Sequence, residues 1–232
     1  MNQNMTFTLV MLAVLGLLVG TLAYLSNRPQ DSPGSVGAAA AAPGEETASP
    51  SPAPAELLVR EDSRYLDDVE DAPVTVVEFL DFECEACRAQ FPVMERIRED
   101  YDGRIDFVVR YFPLPGHTNS EPAAAAVEAA ARQGALEEMY ALMYETQAEW
   151  GESQEDRSEV FVGFAEELDL DIERFTADMG SQEVADRVRA DFDDGVALGV
   201  QGTPTIFVNG YRTPSMPTYE MLASLIDAGT AE

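Results

Sequence analysis

The stretch Val74-Thr-Val-Val-Glu-Phe-Leu-Asp-Phe-Glu-Cys-Glu-Ala-Cys-Arg-Ala-Gln-Phe-Pro92 constrains this chain more than any other. It opens as an apolar, β-branched run, the pattern of a buried strand over Val74–Asp81. It then passes through Cys84 and Cys87 into a helical pattern that reaches about Asp100, with Phe91, Met94 and Ile97 on one side. Two thiols separated by two residues at a strand-to-helix junction point to redox chemistry. The first N–H groups of a helix have no internal partner, and the helix dipole is positive there. A thiolate is stabilised at that position, so Cys84 is expected to be the attacking, low-pKa thiol. Cys87, one turn further in, is expected to be covered and to resolve a mixed disulfide.

Blander readings of the pair fare worse. A structural disulfide closing so short a ring contributes only about 2 kcal/mol on the chain-entropy account. A structural zinc site needs four ligands, and the whole chain offers two Cys and one His, so no metal is expected. Glu78, six residues before Cys84, is the second anomaly. A carboxylate inside an apolar strand has either a raised pKa or a job; the job here is to accept and donate the proton of Cys87. The alternative is an edge strand with Glu78 in solvent, and Val76, Val77, Phe79 and Leu80 leave little polar face for it.

A further landmark is Gly199-Val-Gln-Gly-Thr-Pro-Thr-Ile-Phe-Val-Asn-Gly210. Pro204 opens an apolar strand, where its missing N–H is tolerated, and Asn209-Gly210 is a hairpin signal. Taken alone, Thr203-Pro204 reads as an ordinary trans bond. The strand with Glu78, the motif Cys84-Glu-Ala-Cys87 and Gly202-Thr203-Pro204-Thr205 together resemble the DsbA-like thiol-disulfide oxidoreductases of the thioredoxin superfamily, over roughly residues 57–228. That resemblance implies an α/β thioredoxin-like fold with a helical insertion at about 120–198. It also implies a cis Thr203–Pro204 bond facing Cys84, with the free backbone groups of Thr203 pairing with an extended substrate.

The resemblance further implies a redox-active Cys84–Cys87 disulfide without metal or organic cofactor, exported protein thiols as substrates, and a quinone-linked membrane thiol oxidase as the reoxidising partner. The chain departs from the family's strongest oxidants at the two residues between the thiols, Glu85 and Ala86, where those oxidants carry Pro-His. Glu85, Asp81 and Glu83 raise a neighbouring thiol's pKa, and Arg88 offsets part of this. The expectation is therefore a couple less oxidising than roughly −120 mV. Oxidation of exported proteins is the favoured direction. A reductase or isomerase is the alternative, and a non-catalytic thioredoxin-like binding module is the reading from another class.

The rest of the chain sets the context. Residues 1–4 are a short tail. Met5–Leu25 is an uncharged apolar run long enough to span a bilayer, read as an uncleaved signal anchor rather than a cleaved signal peptide. Residues 26–56, rich in Pro, Ala and Ser, cannot build a core and read as a disordered linker. Residues 57–232 are the catalytic domain, with Leu57–Arg60 as a short strand and Glu61–Ala72 as an acidic connector. A monomer on a single-pass anchor in the cell membrane is expected, and the placement of the domain outside the cytoplasm rests on where disulfides persist.

All 14 basic residues are Arg, and the formal charge is −29, which excludes electrostatic binding to nucleic acid or an anionic membrane face. Either adaptation to high salt or a coding bias accounts for that acidity. His117, the only histidine, lies in the loop Pro113–Asn119 and reads as solvent-exposed, with a place on the active-site rim as the alternative.

Overall fold

The computed structural model describes residues 51–231. The expected span Met5–Leu25 and most of the expected linker lie outside these residues. Among the described residues no helix is long and apolar enough to cross a membrane.

The element order is α1 (Ala55–Leu58), β1 (Arg64–Asp67), β2 (Val74–Leu80), α2 (Glu85–Asp100), β3 (Ile105–Tyr111), α3 (Ser120–Ala131), α4 (Leu136–Trp150), α5 (Ser158–Glu167), α6 (Ile172–Met179), α7 (Gln182–Ala197), β4 (Thr205–Val208), β5 (Tyr211–Arg212) and α8 (Tyr219–Thr230). The sheet runs β1-β3-β2-β4-β5. β2 and β3 are parallel, Glu78 opposite Val109, and are joined through α2. β4 lies antiparallel on the other side of β2, with Glu78 opposite Ile206. β2 is therefore central, and the edge-strand alternative for Glu78 falls away.

Alternation along the strands separates two apolar layers. Val74, Val76, Leu80, Phe107 and Val109 face the larger core, with Cys87 and Met94 of α2 and Tyr140 of α4. Val77, Phe79, Val108 and Phe207 face the smaller one, with Phe112 and Leu58. The five helices α3–α7 are the expected insertion between β3 and β4. Ala-rich α3 lies at its centre: Ala123, Ala124, Ala126, Ala129 and Ala130 are all buried, and small side chains let α4, α5, α6 and α7 all pack on one helix.

Three segments differ from the sequence expectation. Leu57–Arg60 is not a strand: Ala55–Leu58 is a single helical turn. The acidic connector contains the edge strand β1, paired antiparallel with β3, whose Arg64 forms an ion pair with the buried Glu128 of α3. The linker boundary near Glu56 falls earlier, because Ala53 N–H already donates to Gly210 O at 2.8 Å.

Candidate active site

Cys84 is the residue immediately before α2, in extended conformation (φ −72°, ψ 119°). The turn that places it is built by Asp81, whose carbonyl accepts from Cys84 N–H (3.1 Å) and whose carboxylate accepts from Glu83 N–H (2.8 Å) and Leu114 N–H (3.0 Å). The insertion fastens the same turn from outside. Gln147 of α4 donates its amide to Phe82 O (2.7 Å) and Cys84 O (3.0 Å), and Glu83 accepts from Asn119 N–H (2.6 Å). A reactive thiol is thus held by a buried scaffold rather than by its own loop.

β4 delivers the second half of the site. Thr205 is paired opposite Phe79, so the segment before β4 passes the end of β2. There Thr203–Pro204 is a cis peptide bond, and Cys84 Sγ lies 3.4 Å from Thr203 O. Cys84, only 8 % exposed, borders a cavity of about 510 Å³ lined by Glu83, Glu85, Ala86, Gly116, His117, Glu152 and Gln154. Both cysteines are free thiols.

The two sulfurs differ as helix geometry demands. Cys84 is lowered from the usual thiol value of 9.0 to about 5: the Cys87 thiol donates to its thiolate, burial opposes, and the Thr203 side chain and the N–H groups of Cys87 and Ala86 add further donors. Ala86 therefore acts through its backbone. The net fall shows that the donors gathered at the helix start outweigh the burial of the sulfur. Cys87, 1 % exposed, is pushed well above 9.0 by burial, by holding its proton toward Cys84, and by the negative charges of Cys84 and Glu78.

Glu78 is 2 % exposed, and burial raises its carboxyl from 4.5 to about 8, with Glu95 adding to the rise. Its Oε2 has no hydrogen-bond partner among the described residues. Glu78 shares the larger core with Cys87 and Tyr140, whose pKa values its charge raises. The exposed-loop reading of His117 is corrected: its side chain is 31 % exposed and its Nδ1 lies 2.6 Å from Asp81 Oδ2.

The structure brings together Cys84, Cys87, Glu78, Thr203, Pro204, Glu85 and Ala86, the residues the sequence singled out. Asn119 and Gln147 were missed, and Asp81 was seen only as a nearby charge, not as the group that holds the turn and His117. Among the described residues no group of three or more His, Cys, Asp or Glu is arranged to hold a metal ion.

A dithiol at a helix start, facing a cis-proline segment across the end of a central strand, defines a thioredoxin-type redox centre. The family model described as Thioredoxin matches residues 69–228. The chain is 34 % identical over 169 residues to a probable disulfide bond formation protein D of Bacillus anthracis, covering 68 % of this chain and 74 % of that one. It is 38 % identical over 162 residues to a Na(+)/H(+) antiporter NhaA 1 of Salinispora arenicola, 69 % of this chain but 24 % of the antiporter; the chain thus spans about a quarter of that relative. A crystal structure of a thioredoxin-like oxidoreductase from Silicibacter pomeroyi superposes with TM-score 0.65 at 27 % identity, over 78 % of this chain and 99 % of that one. The chain belongs to the thioredoxin family, in its DsbA-like thiol-disulfide oxidoreductase branch, where the redox centre is a cysteine pair.

Proposed function

We propose that the protein is a membrane-anchored, extracytoplasmic thiol-disulfide oxidoreductase that introduces disulfides into exported proteins. The observation that carries this reading is Cys84: a thiol favoured in its ionised form at a helix start, beside a cavity and 3.4 Å from Thr203 O. A stable Cys84 thiolate makes the reduced form a good product, which favours oxidation of substrates.

In the cycle, a substrate thiolate attacks Cys84 Sγ of the disulfide. A new S–S bond joins substrate and Cys84, the Cys84–Cys87 bond breaks, and its electron pair leaves on Cys87. Cys87 takes a proton, for which Glu78 is the nearby buried donor. A second substrate thiolate attacks the substrate sulfur of the mixed disulfide, and Cys84 departs as thiolate. The substrate has lost two electrons and gained a disulfide. The Thr203 backbone positions the substrate as an added strand, and Glu85 and Ala86 tune the couple. A quinone-linked membrane thiol oxidase returns the centre to its disulfide. The anchor Met5–Leu25 holds the domain as a monomer at the outer face of the cell membrane.

Oxidation of reduced ribonuclease and reduction of insulin, each run with wild type and Cys84→Ser, test this reading. Wild type is expected to oxidise ribonuclease in a glutathione buffer, and the variant to lose both activities. Faster insulin reduction than ribonuclease oxidation would reverse the direction. Substrate binding without turnover in wild type would leave a binding module.

A further inference from the structure

We propose that His117, held by Asp81, supplies the positive charge that stabilises the Cys84 thiolate, and that the pair makes the oxidising power of this centre pH-dependent. The inference rests on the exchange role proposed for Cys84 and adds a residue to it.

The surroundings of Cys84 are acidic. Its cavity is lined by Glu83 and Glu85 from the turn and first turn of α2, and by Glu152 from the segment after α4. Gln154, Gly116 and Ala86 carry no charge, so among the described lining residues His117 alone can carry a positive one. Arg88 is exposed on α2 and does not line the cavity. Behind the sulfur stand the Cys87 thiol and the Glu78 carboxyl, neither of them cationic.

His117 arrives from the loop after β3, and its orientation is fixed. The Asp81 carboxylate is held by the N–H groups of Glu83 and Leu114, and the imidazole Nδ1 meets it at 2.6 Å. An Nδ1–H donating to Asp81 leaves Nε2 as the free ring nitrogen of a residue that lines the Cys84 cavity. A carboxylate that orients an imidazole also favours the imidazolium. Burial works against that charge, Asp81 outweighs it, and Cys84 and Glu83 add to a net rise from 6.5.

The consequence follows from charge balance. The reduced centre carries a thiolate at Cys84; the disulfide carries none. The imidazolium therefore stabilises only the reduced state, and makes the couple more oxidising. As pH rises through the pKa of His117, the cation is lost and this part of the oxidising power goes with it. The window opens near pH 5, where Cys84 ionises, and closes above 6.5, on the far side of the raised His117 value.

The test is thiolate absorbance at 240 nm of the reduced full-length chain in detergent, titrated for wild type, His117→Gln and His117→Lys, with circular dichroism as the check of folding. His117→Gln is expected to raise the Cys84 midpoint by about one unit and to move the glutathione equilibrium at pH 6 about tenfold toward a weaker oxidant. At pH 9, where the histidine is neutral, its equilibrium converges with wild type. His117→Lys keeps the low midpoint and stays more oxidising than wild type at pH 9. An unchanged midpoint in the Gln variant, or a difference equally large at pH 9, would overturn the proposal. If the Gln variant does not fold, a raised midpoint in the Lys variant overturns it. The titration reads ionisation alone, so a wild type that ionises normally yet does not exchange disulfides would instead sink the proposed function.

Discussion

The sheet buries two ionisable side chains, one register step apart on neighbouring strands and on opposite faces, and treats them differently. Arg110 of β3 is 0 % exposed and surrounded by acceptors: Asp191 Oδ1 (2.5 Å), Asp194 Oδ2 (2.6 Å), Leu57 O (3.0 Å) and Leu58 O (2.5 Å). Arg187 and Arg60 complete the cluster by pairing with Asp191 and Asp194. Glu78 of β2 lies in the other layer with one oxygen that nothing among the described residues satisfies. The paired group fastens α1 and α7 to the sheet. The unpaired group keeps a proton that chemistry can use, because no partner competes for it.

Removing the unpaired carboxyl should give the largest effect, and it should depend on pH. The folded pKa of Glu78 is raised, from 4.5 to about 8. Its stability penalty is therefore absent below pH 4.5, grows as pH rises to about 8, and is constant beyond. At about 1.4 kcal/mol per unit this amounts to as much as about 5 kcal/mol at pH 8. Urea unfolding of Glu78→Gln should show the variant gaining on wild type steadily between pH 5 and 8. Parallel pH profiles would mean that Glu78 carries no buried proton.

Breaking the paired cluster should come next. Arg110→Met leaves Asp191 and Asp194 short of their central cation, at an expected cost of about 3–5 kcal/mol, measured by the same unfolding at pH 7. The Cys84 titration of the folded fraction should not move, since the cluster lies across the sheet from the thiols. The smallest effect is expected on the outer side of the same helix. Asp193→Asn removes the exposed partner of Arg189 (2.8 Å) and should cost under about 0.5 kcal/mol. A cost comparable to that of Arg110→Met would erase the distinction between buried and solvated pairs.

These contrasts also explain what could be read from sequence. β2, α2 and both thiols were legible because one apolar period feeds directly into another across the Cys-x-x-Cys. Glu78 was legible as a carboxyl out of place in an apolar run. The partners of Arg110 were not, since Asp191 and Asp194 lie about eighty residues away on a helix whose acidic surface looks ordinary in a chain this acidic. β1 was missed because its four residues are only half-buried and its neighbours are acidic. His117 was misread because a loop position says nothing about Asp81, thirty-six residues earlier, reaching it from the end of another strand. Gln147 likewise acts on backbone oxygens of the Asp81–Cys84 turn and Asn119 through its own N–H to the Glu83 carboxylate, and backbone groups leave no trace in composition.

The bond from Ala53 N–H to Gly210 O sits in a tight fit: a Cβ on Gly210 would stand 2.8 Å from Pro52 Cβ, and Gly210 adopts φ +84°. A pull along the N-terminal segment would thus be felt first at the β4–β5 hairpin, at the opposite end of β4 from Pro204. The pairings between β2 and β4, from Val76–Val208 to Phe79–Thr205, lie between that grip and the thiols, and would have to shear before tension reached Cys84.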